Sequence, residues 1–149
     1  MPTSEPLNES SCPVARSVAV VGDRWCLLIV RDAFDGIRRF GDFQRSLGLA
    51  RNILSDRLRR LVEAGILALQ PASDGSAYQE YVLTPQGNSL FPVVVALRQW
   101  GEQHLFQPGE RHSVLIERNT GDPVRLMTPS TKDGSVLTPG GTEVRKIGD

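Results

Sequence analysis

The sequence predicts an α+β, mainly α fold, and three observations carry that expectation. Four helical stretches are read between positions 13 and 65, and in the last of them Leu54, Leu58, Leu61 and Val62 recur at spacings of three and four, the period of a helix packed on a core. Two strand-like runs, ILALQP and YQEYVLT, then bracket the polar, glycine-containing turn ASDGSA, a hairpin signature. A last helical stretch gives way after Pro108 to a segment rich in Gly, Pro and Thr. At 149 residues and 40% apolar content, the chain is expected to build one good core with appendages.

Taken in order, residues 1–11 (MPTSEPLNESS) are polar and proline-containing and read as a disordered arm. A first helix is expected over Pro13–Val21, since proline at the first helical position loses no hydrogen bond and Ser10, Ser11 or Cys12 can cap it. Gly22 breaks the pattern. Asp23 is placed to cap a second helix, RWCLLIVRDAF, which is apolar nearly all round and therefore central. GDFQRSLG forms a short third helix closed by Gly48. The fourth, ARNILSDRLRRLVEAG, places Leu54, Leu58, Leu61 and Val62 on one face and projects Asn52, Ser55 and Arg59 from the other, with Arg51 on the flank of the first turn and Gly65 as the stop. After the hairpin, Pro85 starts a helix PQGNSLFPVVVALRQWGEQHL whose stripe of Leu90, Val93, Val94, Leu97, Trp100 and Leu105 is wider than a small domain needs. Some of it is expected to face a partner chain. From 108 to 149, alternating apolar runs broken by Gly-Asp-Pro, Asp-Gly and Pro-Gly-Gly suggest short strands in a meander, a small β-rich C-terminal extension to a domain spanning 12–107.

Helix, helix, short helix, turn, long helix, hairpin, helix is the order of a winged helix-turn-helix, in which the second helix of the tight pair enters the major groove of double-stranded DNA and the hairpin flanks it. Overall charge says nothing of such a partner, with 17 basic and 17 acidic residues. Its distribution does: seven arginines against two acids lie between Gly36 and Arg60. Asn52 can pair with adenine and Arg51 or Arg59 with guanine, while Arg38 and Arg39, just ahead of the third helix, suit phosphates. Ser55 shares the exposed face. A charged helix face is also what plain solvation produces, and a winged helix that binds protein instead of DNA is the alternative. An enzyme is not expected, because there is no glycine-rich phosphate loop or nucleophile elbow and only two histidines.

The residues resemble the HxlR-type family of bacterial transcription regulators over about 12–107. The resemblance rests on Cys12-Pro13, Gly22 with Arg24-Trp25, Gly36 with Arg39-Phe40, Leu54, Leu58-Arg59, Gly65, Glu80-Tyr81, Leu83-Thr84, Gly87 and Trp100-Gly101. It implies a homodimer, held by the first and last helices of the domain, that binds inverted repeats. In this chain those helices offer Val14 and Val18, and Leu90, Val94, Leu97 and Trp100. Repression is the expected mode, since a dimer covering a promoter needs no further partner. Two departures stand out: the wing ASDGSAYQE has no basic residue where the family often has some, which leaves Ser73, Ser76 or backbone to touch DNA, and Ala50 stands where a small hydroxyl residue is common.

Two inputs are open. Cys12 lies at a helix start, where amide donors and the dipole favour a thiolate, and the resemblance places it at a redox or electrophile switch found in some members; it also reads as a mere helix-start residue. Cys26, within the apolar second helix, is expected to be an inert core thiol. The other input is a small aromatic effector in a cavity lined by Trp25, Phe34, Phe91 and Trp100, residues that equally serve as core. No metal or cofactor is expected, because His104 and His112 alone cannot make a tetrahedral site. Two cysteines, no signal-peptide pattern and no apolar run of about 20 residues point to a cytoplasmic protein with no membrane span.

Overall fold

The structure is a computed structural model, and it describes residues 6–147. The arm expected over 1–11 lies partly outside the described residues; within it, Leu7–Glu9 form one 3-10 turn. The chain divides into two compact units whose boundary falls between Phe91 and Pro92.

The first unit holds helices α1 (Pro13–Val21), α2 (Arg24–Phe34), α3 (Phe40–Leu47) and α4 (Arg51–Glu63), strands β1 (Leu67–Pro71) and β2 (Gln79–Leu83), and the short α5 (Pro85–Asn88). Asp23 caps α2 by accepting the amides of Trp25 at 2.8 Å and Cys26 at 3.2 Å, which satisfies two of the donors a helix start leaves open. Gly48 closes α3 at φ +64°, a left-handed conformation glycine adopts without a Cβ penalty. Three residues then separate α3 from α4, and the turn is pinned by buried Leu49, whose carbonyl receives the Gln44 side-chain amide at 3.3 Å. Ile29 and Val30 of α2, Phe43 of α3, and Leu54, Leu58 and Leu61 of α4 are at most 1% exposed. Each contributes about 1.5–3 kcal/mol of burial, so the leucine stripe read from the sequence is the inner face of α4.

The strands pair antiparallel in the register Leu67 with Leu83 through Pro71 with Gln79. Tyr81 N–H donates to the Arg38 carbonyl at 2.8 Å, which ties the hairpin edge to the segment ahead of α3. Where one continuous helix was expected from Pro85, the structure has two, α5 and α6 (Phe91–His104). The reason is Pro92, which lacks an N–H and whose ring would strike the carbonyl of Asn88 in an uninterrupted helix, but which suits the first turn of a new one.

The second unit is α6 from Pro92 onward with the extension. Val95 of α6 is buried. Arg98 donates to the Ser113 carbonyl at 3.1 Å and hydroxyl at 2.8 Å, and the Gln99 amide both donates to the Arg125 carbonyl and accepts from the Met127 N–H at 2.9 Å, as a neighbouring strand would. The expected meander of strands is reduced to two tight turns, each closed by one isolated antiparallel bridge, Ile116 with Pro123 and Ser130 with Val136. The runs between Gly-Asp-Pro and Pro-Gly-Gly are too short to propagate a ladder. No described residue from 108 to 147 is buried. The rings of His104 and His112 lie against Trp100 and Phe106, with centroids 5.2 and 4.7 Å apart. No helix among the described residues is long and apolar enough to cross a membrane.

Candidate nucleic-acid interface

The packing that buries Leu54, Leu58 and Leu61 turns Arg51, Asn52, Ser55 and Arg59 outward, and all four are exposed. Asn52 and Ser55 make no side-chain hydrogen bond among the described residues. Arg51 stacks on Phe40, its guanidinium carbon 5.0 Å from the ring centre, and has no carboxylate partner among the described residues. Arg59 differs: it pairs with Asp56 at 2.6 Å and Glu63 at 3.1 Å on its own helix. Asp56 also receives Arg57 at 2.6 Å and Arg60 at 2.9 Å. Burial pushes the Asp56 carboxyl up, but the arginines around it outweigh that and hold it below its ordinary range.

Arg38 and Arg39 reach the wing, which sequence reasoning did not anticipate. Arg38 lies 3.3 Å from the Glu80 carboxylate, itself only 4% exposed and also the acceptor for the Ser73 amide at 3.3 Å and hydroxyl at 3.2 Å. Arg39, the N-cap of α3, pairs with Asp74 and covers the Tyr78 ring at 5.1 Å. Asp74 accepts the Ser76 amide at 2.9 Å. The Ser76 amide and hydroxyl, with Arg39 after them, hold its carboxyl down to about 2. The two acids of the wing thus anchor it to the base of α3.

Arg39, Phe40, Gln44, Arg45, Arg51, Tyr78 and Tyr81 line one groove of about 760 Å³ between the head of α4 and the hairpin. Of the predicted DNA contacts, the structure brings Arg39 and Arg51 to this groove, turns Arg38 toward Glu80 and occupies Arg59 with acids of α4. Phe40, Gln44, Arg45, Tyr78 and Tyr81 line the groove without having been among the predicted contacts. Tyr78 is 66% exposed in a loop of small polar residues, and that isolated aromatic was the available signal.

Cys12 is exposed as the N-cap of α1, whereas Cys26 is 2% exposed and its thiol is pushed up to about 11 by burial first and by Asp23 second. Phe34 and Phe91 pack edge to face, with centroids 5.2 Å apart; Trp25 is half-buried beneath the Arg24 guanidinium; Trp100 belongs to the second unit and is 57% exposed. Val14 and Val18 are exposed on α1 and Leu97 on α6, while Leu90 and Val94 are half-buried.

A short helix, tight turn and second helix with an outward polar face, flanked by an antiparallel hairpin, define a winged helix-turn-helix. The chain belongs to the HxlR-like helix-turn-helix family, whose sequence pattern it matches over residues 20–108. The HTH-type transcriptional regulator Rv3095 of Mycobacterium tuberculosis, itself uncharacterised, is 48% identical over 95 residues, covering 64% of this chain and 60% of that protein. The chain therefore spans about three-fifths of that relative's length. Among solved structures, PA1607, a candidate transcription factor, superposes with a TM-score of 0.89 at 53% identity, covering 94% of this chain and 98% of that one. The redox regulator HypR in its oxidised form superposes with a TM-score of 0.57 at 31% identity, over 62% of this chain and 97% of its own. The extension after α6 is thus shared with PA1607, whereas the match to HypR covers less than two thirds of this chain.

Proposed function

We propose that the protein is a homodimeric repressor that binds inverted-repeat operator DNA and releases it in response to thiol chemistry at Cys12. The observation that carries the DNA reading is the first turn and a half of α4, where Arg51, Asn52 and Ser55 stand exposed with no carboxylate or hydrogen-bond partner among the described residues. These side chains supply the donors and acceptors that base edges require. Arg38, Arg39 and Arg59 are assigned to phosphates, Arg59 weakly because its own helix already engages it. The exposed apolar residues Val14 and Val18 of α1, and Leu97 and Trp100 of α6, support a two-fold dimer with Leu90 and Val94 at its edge. Half-sites are then about one helical turn apart. Cys12 is the accessible thiol, and HypR, a redox regulator, shares the fold.

The test is binding to the DNA upstream of the protein's own and adjacent genes, reduced and after diamide, by the wild type and by Arg51→Ala, Asn52→Ala, Arg59→Ala and Cys12→Ser. Arg51→Ala and Asn52→Ala are expected to lose about tenfold to a hundredfold on the operator, Arg59→Ala less, and Cys12→Ser to keep binding after oxidation. Operator affinity no better than the non-specific range of roughly 10⁻⁴–10⁻⁶ M would overturn the DNA reading in favour of protein binding. Loss of binding by oxidised Cys12→Ser would remove Cys12 from the switch, and a monomer by light scattering would remove the dimer.

A further inference from the structure

The groove between α4 and the hairpin is bracketed by two arginine–aromatic stacks, Arg51 on Phe40 at 5.0 Å and Arg39 on Tyr78 at 5.1 Å. From these we infer that one DNA backbone strand is held at the wing by the stacked pair Arg39 and Tyr78, beside the base-reading Arg51, and that the acidic wing binds phosphate with a cation taken from the head of α3. The inference rests on the operator-binding reading and adds Tyr78 and the stacked role of Arg39 to it.

Three features argue for it. A wing without basic residues would offer DNA only the negative charge of Asp74, but Arg39 neutralises that carboxylate, so the strand meets no uncompensated anion there. One arginine can hold the wing and still bind a phosphate. Its Nη2 faces Asp74 and Ser76, while Nε and Nη1 have no hydrogen-bond acceptor among the described residues, and a guanidinium carries five N–H donors in a planar fork. Finally, Tyr78 is 66% exposed although it is aromatic, and its ring lies under the Arg39 guanidinium in a loop that Ser76 and Asp74 fix: the Tyr78 amide lies 3.4 Å from the Ser76 hydroxyl, and the Ala72 amide donates to the Tyr78 carbonyl at 3.0 Å. Its phenol is then a further donor toward the backbone, and its ring a surface for the sugar. Lysine could not do this work, since a point charge on a flexible stem cannot pair with Asp74, cover a ring and reach a phosphate at once.

The experiment uses the full chain on its operator, with affinity measured against salt concentration and hydroxyl-radical footprints of the complex. Tyr78→Ala, Arg39→Ala and Arg39→Lys are each expected to weaken binding about tenfold, and Arg39→Ala lowers the slope of log affinity against log salt by about one. Protection is lost only at the backbone positions flanking the sites read by α4. Combining Tyr78→Ala with Arg39→Lys adds little to either single change. Because Tyr78 is largely exposed, its truncation leaves the thermal midpoint within a few degrees of wild type, which separates lost contact from lost folding. Wild-type affinity and footprint in Tyr78→Ala, or full retention by Arg39→Lys, overturns this inference and leaves the operator reading standing. No protection by the wild-type protein on any tested promoter overturns both.

Discussion

The carboxylate of Asp23 joins the start of α2 to the middle of α4: one of its oxygens accepts two amides of its own helix and lies 3.2 Å from Nε of Arg57. The position of α4 is thereby linked to a helix cap 34 residues earlier in the chain. Burial pushes the Asp23 carboxyl up, but the Arg57 guanidinium and the Cys26 and Trp25 amides more than offset it, so it sits below its ordinary value. Asparagine caps as well as aspartate but carries no charge. Asp23→Ala is therefore expected to cost about 2 kcal/mol and Asp23→Asn about half of that. Urea unfolding of both variants decides it; equal costs would mean that the cap contributes nothing beyond the ion pair.

Asp74 is the acid to follow by pH. Its carboxyl is held down to about 2 in the folded protein, against 3.8 ordinarily. A depressed carboxylate stabilises the fold above the unfolded value, and that contribution is lost as pH falls from about 4 toward 2. A carbon-detected NMR titration should give Asp74 a midpoint near 2 in the wild type and a higher one in Arg39→Ala. A midpoint near 4 in the wild type would show that the wing is not tied to α3 in solution.

The two thiols should separate cleanly. Cys26 is buried and pushed up to about 11, so at neutral pH it is protonated as well as inaccessible. Ellman's reagent is expected to titrate one thiol in the native wild type, none in native Cys12→Ser, and two in denatured wild type. The raised Cys26 value also predicts that stability declines as pH rises from about 9 to about 11, because the unfolded chain releases that proton first.

Gly87 is a site where space decides. A Cβ there would lie 2.1 Å from the Ile66 carbonyl oxygen, at the junction where Thr84 accepts the Gly87 amide at 3.0 Å and its own amide donates to Ile66 at 3.1 Å. Backbone on both sides cannot yield as a side-chain end would. Gly87→Ala is expected to destabilise by at least about 2 kcal/mol, visible as a lower thermal midpoint. Ala at Gly109, where nothing lies within 4 Å but φ is +81°, should cost only the backbone strain of about 1 kcal/mol.

Local chemistry was legible wherever one residue decides an element. Pro13 started α1, Asp23 capped α2, Gly48 ended α3, and the leucine spacing oriented α4 well enough to put Arg51, Asn52 and Ser55 on its exposed face. Pro92 carried an equally local message, but the apolar stripe from Leu90 to Leu105 overrode it. What was not legible is the pairing of charges across the chain. Arg38 and Glu80 are 42 residues apart, and Arg39 and Asp74 are 35 apart, so no periodicity relates them and the wing shows in sequence only its lack of basic residues. Asp32 escaped notice for the opposite reason, being 2% exposed inside a helix that reads as apolar; Arg31 covers one of its oxygens at 2.9 and 3.1 Å. In the extension, each turn was visible but pairing partners for the runs between them were not.

Six of the seven arginines from Gly36 to Arg60 already face a carboxylate, and Arg51 has none among the described residues. A region that reads as strongly cationic in sequence therefore behaves as a self-neutralised surface with little reach into solution. Any anion approaching these arginines would have to trade places with an acid that is already seated, or share a guanidinium with it. Left bare, these residues would present seven positive charges to solvent; paired as they are, Arg51 alone among them has no carboxylate within reach among the described residues.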